Sequence, residues 1–281
     1  MLSASAGDAP GIDPAAAERV LVRALGDEVR RAGFVRGVVG LSGGIDSAVT
    51  LLLGVRALGP ENVTAAALPV RGSAPASFEH AHLAARAAGV ELRVLDLGPV
   101  LDALETALPG SAADRARRGN LAARARMIAL YDLSAAEKAL VLGTGNKTEI
   151  LLGYTTLWGD MAAALHPLGD LYKREVRALA RHLGVPAPIL DKAPSADLWE
   201  GQTDEGELGF TYEDADRVLY RLLDLRIPHA ELVRSGESEA LVRALERRVT
   251  GSAYKRRMPL VLKVSSRTVG LEFRLPRDAG T

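Results

Sequence analysis

Cysteine is missing from all 281 residues. Its absence excludes a disulfide framework, thiolate zinc ligation and any mechanism in which this chain's own cysteine is the nucleophile. It is compatible with a reducing cytoplasm, which is the expected location. An excess of either charge is also missing: Lys+Arg number 35 and Asp+Glu 35, for a formal net charge of zero. No global case for binding nucleic acid or an acidic membrane remains, and any charged recognition must be local. Long apolar runs are lacking too. Even Val49 to Val55 is interrupted by Thr50 and Gly54 before meeting Arg56, far short of the ~18 uninterrupted apolar residues of a membrane helix. The N-terminal MLSASAGDAPG has neither a basic n-region nor an apolar h-region, so residues 1–13 read as a flexible tail rather than a signal peptide.

What is present suits an ordinary globular protein. Hydrophobic residues make up 48% and charged residues 25%, which rules out collagen-like, coiled-coil and wholly disordered classes. Asp13-Pro14 is a helix-start pair, and the amphipathic segment after it ends at Gly33. Residues 34–41 (FVRGVVGL) read as a short buried strand, followed by the glycine turn SGGIDS and a helix from about Asp46 to Leu58. Strand signals at 63–68, 92–97 and 138–143 alternate with helical ones at 76–88 and 120–133, as in a parallel sheet covered on both faces. In such sheets ligands sit beyond the carboxyl ends of the strands, where Ser42 and Thr144 fall. Residues 192–211 show little periodicity and read as a long functional loop, with helices expected at about 212–225 and 237–248. There is no internal repeat, so residues 14–281 are expected to form a single α/β domain with C-terminal helices.

The strongest local signal is Ser42-Gly43-Gly44-Ile45-Asp46-Ser47 between strand and helix. Glycines let the backbone turn its N–H groups inward, the helix start adds positive dipole, and two hydroxyls are at hand, so the loop suits a polyphosphate. Asp46 offers a hard oxygen for Mg²⁺. The plainer alternative is a glycine turn with Asp46 as helix cap. A Walker lysine is absent, so γ-phosphate transfer through an ordinary P-loop is not indicated.

This loop resembles the pyrophosphate-binding loop of the ATP pyrophosphatase superfamily, whose members split ATP between the α and β phosphates. Four further segments extend the likeness: GNLAARARMIALY from Gly119, VLGTGNKTEILLGYTTLWGD from Val141, HPLGDLYKREVRALA from His166 and KAPSADLWEGQTDEGELGF from Lys192. In these the chain is similar to NAD synthetases, from about Ala15 to Asp278. The resemblance implies a doubly wound, mostly parallel sheet of the adenine nucleotide alpha hydrolase-like type. It also implies amidation of nicotinic acid adenine dinucleotide by ammonia, through an acyl-adenylate, giving NAD, AMP and pyrophosphate.

By the same resemblance, Gly40, Leu41, Ser42, Gly43, Gly44, Ile45, Asp46 and Ser47 bind the ATP phosphates, and Thr144, Lys173 and Ser195 also contact ATP. Asp46 and Glu149 hold Mg²⁺; Arg124, Tyr254 and Lys255 bind the dinucleotide; Asp160 lies near the reacting carboxylate and the ammonia. Asp46, Asp160 and Lys173 are the expected catalytic residues, and a homodimer is the expected assembly. Each position has a bland reading as well: Asn146 and Glu149 have capping-box spacing, Lys173 and the arginines suit solvated helix faces, and Asp160 suits a turn. The five histidines have no metal-ligand context.

The pattern departs from ammonia-using members in Thr156-Leu157-Trp158-Gly159-Asp160-Met161-Ala162-Ala163-Ala164, where Leu157 replaces a lysine and Ala164 an acid, and Tyr254 replaces a histidine. Gly-Asp-Met-Ala looks instead like the synthetase portion of glutamine-dependent members. Those use an additional cysteine amidase domain, so free ammonia or a separate glutaminase subunit is the expected nitrogen source. Two other readings stay open: an ATP pyrophosphatase acting on a tRNA base or a nucleotide, and an ATP-binding module without turnover.

Overall fold

Asp13 starts the first helix as expected. Its carboxylate accepts from the Ala15 and Ala16 N–H groups at 3.0 and 3.3 Å, Pro14 opens the first turn, and α1 runs Pro14–Arg31. The computed structural model describes residues 9–195, 202–257, 259 and 261–269. Of the anticipated tail, residues 1–8 lie outside these, and Ile12 packs against the core.

The alternation read from the sequence becomes β1 (Arg36–Gly40), α2 (Ile45–Leu58), β2 (Val63–Ala67), α3 (Pro75–Ala88), β3 (Leu92–Val94), α4 (Gly98–Ala107), α5 (Arg115–Glu137) and β4 (Ala139–Leu142). The strands form one parallel sheet in the order β3-β2-β1-β4. From β1 the chain builds outward through β2 and β3, then returns to lay β4 on the other side. The order therefore reverses between β1 and β4, and a crevice opens at their carboxyl ends.

Burial explains the pairing. Val38, Val39, Ala65 and Ala66 are fully buried because helices cover both sheet faces. On one face α1, α2 and α3 pack with α7 (Lys173–Leu183); on the other lie α4 and α5. Helix α7 buries Val176, Leu179, Ala180 and Leu183, one stripe at helical spacing. Each large apolar side chain so buried contributes ~1.5–3 kcal/mol before entropy is counted.

A second apolar cluster joins α6 (Lys147–Leu152) to the C-terminal helices α10 (Tyr212–Leu219), α11 (His229–Arg234) and α12 (Glu239–Gly251). Short helices α8 (Ala187–Leu190) and α9 (Asp204–Leu208) precede these. Three expectations change. Helix α5 begins at Arg115 rather than near Asn120, because Asp114 caps it through the Ala116 and Arg117 N–H groups. Residues 192–211 are not all loop, since Thr203 caps α9 within them; residues 196–201 of that stretch lie outside the described residues. After Leu219 the chain continues as a π-helical turn, Tyr220–Asp224, instead of a regular helix to 225. Among the described residues no helix is long and apolar enough to cross a membrane.

Candidate active site

The turn between β1 and α2 forms the floor of the crevice. Gly43 sits at φ +73°, and a Cβ there would lie 2.0 Å from the Ser77 carbonyl oxygen, so only glycine fits. The Gly44 N–H donates to Ser42 Oγ at 3.3 Å, and Ser47 Oγ donates to the Gly44 carbonyl at 2.9 Å. These bonds hold both hydroxyls beside the first turn of α2.

Asp46 is not a cap. Gly44 occupies the cap position, and the Asp46 carboxylate reaches away from its helix to accept from Asn146 Nδ2 at 2.9 Å and Lys173 Nζ at 2.5 Å. Asn146 and Glu149 do form the capping box of α6, with Asn146 Oδ1 accepting from the Glu149 N–H at 3.0 Å and Glu149 Oε2 from the Asn146 N–H at 3.3 Å. Glu149 nevertheless turns its other oxygen to Lys173 Nζ at 3.2 Å. The capping-box reading of that spacing therefore holds, and the carboxylate's second oxygen faces the cleft through Lys173.

Lys173 is no solvated surface lysine; it is only 3% exposed. Its ammonium bridges Asp46 and Glu149 and lies 5.1 Å over the Tyr212 ring. Burial alone would lower its pKa, but the two carboxylates overcome that and hold it above the ordinary lysine value. Glu149 moves up to about 7, chiefly through burial, with the Asp46 charge adding to the shift and Lys173 opposing it. Whenever both acids are ionised, their charge exceeds that of the one ammonium, and the excess favours a further cation.

Above this cluster opens a cavity of about 280 Å³. Gly40, Leu41, Ser42, Gly44, Ile45, Asp46, Ser47, Thr144, Glu149, Asp160, Lys173 and Ser195 all line it, and Gly43 shapes the turn beneath. Asp160 accepts from the Thr156 N–H at 2.6 Å, and desolvation within the concave wall raises its carboxyl above the usual range although solvent reaches it through the opening. Leu68, Phe78, Met127 and Leu130 give the cavity an apolar side suited to a flat ring.

Three anticipated residues do not line the cavity. Arg124 is exposed on α5 and donates through Nε and Nη2 to the Leu157 carbonyl at 3.3 and 3.2 Å. Tyr254 is exposed, and Lys255 Nζ donates to the Gly153 and Thr155 carbonyls at 2.7 and 2.6 Å, close enough for its charge to act on Asp160. Arg126 lines the cavity instead, with Nε donating to the Leu68 carbonyl at 3.1 Å. Sequence reasoning also missed the joining role of Asn146 and the place of Tyr212 beneath Lys173. The Asn146 signal was there, in the same Gly-Asn-Lys-Thr-Glu run that supplies Glu149.

Residues 18–259 match the family model described as NAD synthase. The chain belongs to the NAD synthase family. It is 51% identical over 261 residues to the NH(3)-dependent NAD(+) synthetase of Chlorobium phaeovibrioides, covering 93% of this chain and 94% of that one. Among solved structures it resembles an NMN synthetase from Francisella tularensis, with TM-score 0.79 and 33% identity, over 89% of this chain and 99% of that one. It also resembles an NH3-dependent NAD synthetase from Campylobacter jejuni, with TM-score 0.77 and 32% identity, over 90% of this chain and 100% of that one. The parallel sheet with helices on both faces is accordingly the ATP pyrophosphatase fold of NAD synthases.

Proposed function

We propose that the cleft binds ATP and amidates nicotinic acid adenine dinucleotide with ammonia, giving NAD, AMP and pyrophosphate. One observation carries the reading. The glycine turn, the buried Lys173 ammonium, the Asp46/Glu149 pair and Asp160 share a single cavity although they come from four separate stretches of chain. Family membership supports this chemistry over transfer to a tRNA base or mere ATP sensing.

In this reading the β1–α2 turn holds the β and γ phosphates and leaves Pα facing the Asp160 wall. A nicotinate carboxylate oxygen attacks Pα, the bond from Pα to the bridging oxygen breaks, and pyrophosphate leaves with that electron pair. Lys173, already charged and pre-placed, offsets the negative charge that gathers on the departing oxygens. Ammonia then adds to the acyl-adenylate carbonyl, AMP leaves, and Asp160, whose raised pKa brings it nearer to neutrality, takes a proton from the incoming nitrogen.

The residues fit Mg²⁺. Among the described residues no group of three or more His, Asp or Glu is arranged to hold a metal, but Asp46 and Glu149 supply two hard oxygens beside the phosphate turn. A pair of carboxylates completed by substrate phosphates is how Mg²⁺ is usually held. When bound, it would neutralise charge on the phosphate oxygens.

Arg124 and Lys255 belong to this proposal as contacts for the dinucleotide outside the ATP cavity, and so does Tyr254. A homodimer belongs to it too: Ile128 and Tyr131, 61% and 41% exposed, follow Arg124 along one side of α5 and offer apolar area for a second copy. The nitrogen source in this reading is free ammonia or a separate glutaminase subunit, in line with the NH(3)-dependent relative that the chain matches over 94% of that protein's length.

The test is NAD and AMP formation with ATP and Mg²⁺, given ammonium in one series and glutamine in another. NAD and AMP in equal amounts with ammonium but not glutamine is the expected result. The likeness to an NMN synthetase supports one second reading, so nicotinic acid mononucleotide is run as a competing acceptor. A higher kcat/KM on the mononucleotide would overturn the choice of substrate, and AMP without either amide would overturn the reaction.

A further inference from the structure

Helix α7 begins with backbone donors that have no partner inside the helix, and side chains from two other elements meet the first two. The Lys173 N–H donates to Thr148 Oγ1 at 3.0 Å, and the Arg174 N–H donates to Asp216 Oδ2 at 2.8 Å. The Thr148 hydroxyl in turn donates to Asp216 Oδ1 at 2.5 Å. Thr148 and Asp216 are 0% and 1% exposed, so these bonds stand in for water around a buried carboxylate. The positive end of α7 favours an anion there.

The arrangement bears directly on the cleft. Thr148 precedes Glu149 on α6, so the hydroxyl that holds the Lys173 backbone adjoins the carboxylate that holds its ammonium. Asp216 follows Tyr212 by four residues on α10, which puts both on one face of that helix. One face of α10 therefore meets Lys173 at its tip, through the Tyr212 ring, and at its root, through Asp216 and Thr148. A lysine has four rotatable side-chain bonds, and once a triphosphate draws the ammonium off Asp46 and Glu149, the position of its backbone decides where it can reach.

We propose that Thr148 and Asp216 are positioning residues that set Lys173 for its contact with the polyphosphate. The proposal rests on the reading of the cleft as an ATP site. It differs from a simple tie between α6, α7 and α10: a tie would alter stability alone, whereas a positioning pair loses its effect on ligand once Lys173 is gone.

The experiment is a thermodynamic cycle read by calorimetric titration with α,β-methylene ATP. Thr148→Val removes the hydroxyl at nearly constant shape, Thr148→Ser keeps it, and Lys173→Met removes the cation. Thr148→Val should weaken binding by roughly tenfold, a usual loss for a supporting residue, and Thr148→Ser should stay within about twofold of the parent if the hydroxyl is the operative group. In the Lys173→Met background, Thr148→Val should have no further effect. Equal weakening by Thr148→Val in both backgrounds, or none in the parent, overturns the proposal and leaves the cleft reading standing. Parent-like binding by Lys173→Met overturns both. Should Thr148→Val fail to fold, Asp216→Asn, which keeps the shape and one acceptor, takes its place in the same cycle.

Discussion

Replacing Gly43 with alanine tests whether the turn between β1 and α2 is built as the fold requires. Two penalties act together. At φ +73° an alanine sits in the left-handed region, which costs an L-residue about 1–2 kcal/mol. Its Cβ would also fall 2.0 Å from the Ser77 carbonyl oxygen, where ordinary contact begins at 3.4 Å. That oxygen belongs to the backbone at the first turn of α3, and Ser77 Oγ accepts from Lys192 Nζ at 2.7 Å, so it has no free side chain to swing aside. The shortfall of about 1.4 Å must be met by moving the phosphate turn or the start of α3. Displacement of about 1 Å at a reacting centre costs on the order of 100-fold in turnover. Gly44→Ala is the control for stability: φ there is negative, and the new Cβ meets only the Ser42 hydroxyl, at 3.3 Å. We expect Gly43→Ala to lower both the urea midpoint and AMP formation, with Gly44→Ala the milder of the two in the urea experiment. Wild-type turnover in Gly43→Ala, or a larger loss of stability in Gly44→Ala, would refute the reasoning.

Three further predictions concern charge. Burial pushes the Asp216 carboxyl up to about 6, against hydrogen bonds from Thr148 and Arg174. Between the ordinary 3.8 and about 6 the folded chain keeps a proton that the unfolded chain has released, so this group favours folding most below pH 3.8 and least above 6. At ~1.36 kcal/mol per unit the swing is roughly 3 kcal/mol; the stability of wild type minus that of Asp216→Asn should fall by up to this amount between about pH 3 and about pH 7 in urea titrations, and a flat difference would contradict it. Lys173→Met leaves Asp46 and Glu149 without their shared ammonium and should raise Mn²⁺ affinity in the absence of nucleotide by roughly tenfold, seen by electron paramagnetic resonance; unchanged binding would show that the pair is no cation site. Arg126→Ala should raise KM for ATP, since Arg126 lines the cavity, whereas Arg124→Ala should raise KM for the dinucleotide alone. Reversal of these two effects in steady-state kinetics would exchange their roles.

The strand, turn and helix around Ser42 were legible because every requirement there is local: a buried apolar run, glycine at a positive φ, and a helical period after it. The same holds for the start of α1, where Asp13 and Pro14 suffice. Helix α9 was hidden because five residues are too few to show a period, and only its cap at Thr203 marked it. Arg124 and Arg126 were indistinguishable in the sequence because α5 buries Ala122, Ala123 and Ala125 on more than one side and carries no clean apolar stripe. The resemblance named Arg124 as a dinucleotide contact and did not single out Arg126, which lines the cavity.

By itself, then, the sequence determined the parallel α/β alternation, the phosphate turn and the set of acids and cations available for chemistry, since propensity, periodicity and glycine conformation act over a few residues. Which of those groups meet was left to tertiary structure. Asp46 finds Asn146 across 100 residues and Lys173 across 127. Those meetings depend on β4 lying beside β1 and on α10 closing over α6 and α7. Only that packing removes Lys173 from water, and a lysine becomes the partner of two carboxylates, not a solvated charge on a helix, once water is no longer there to compete.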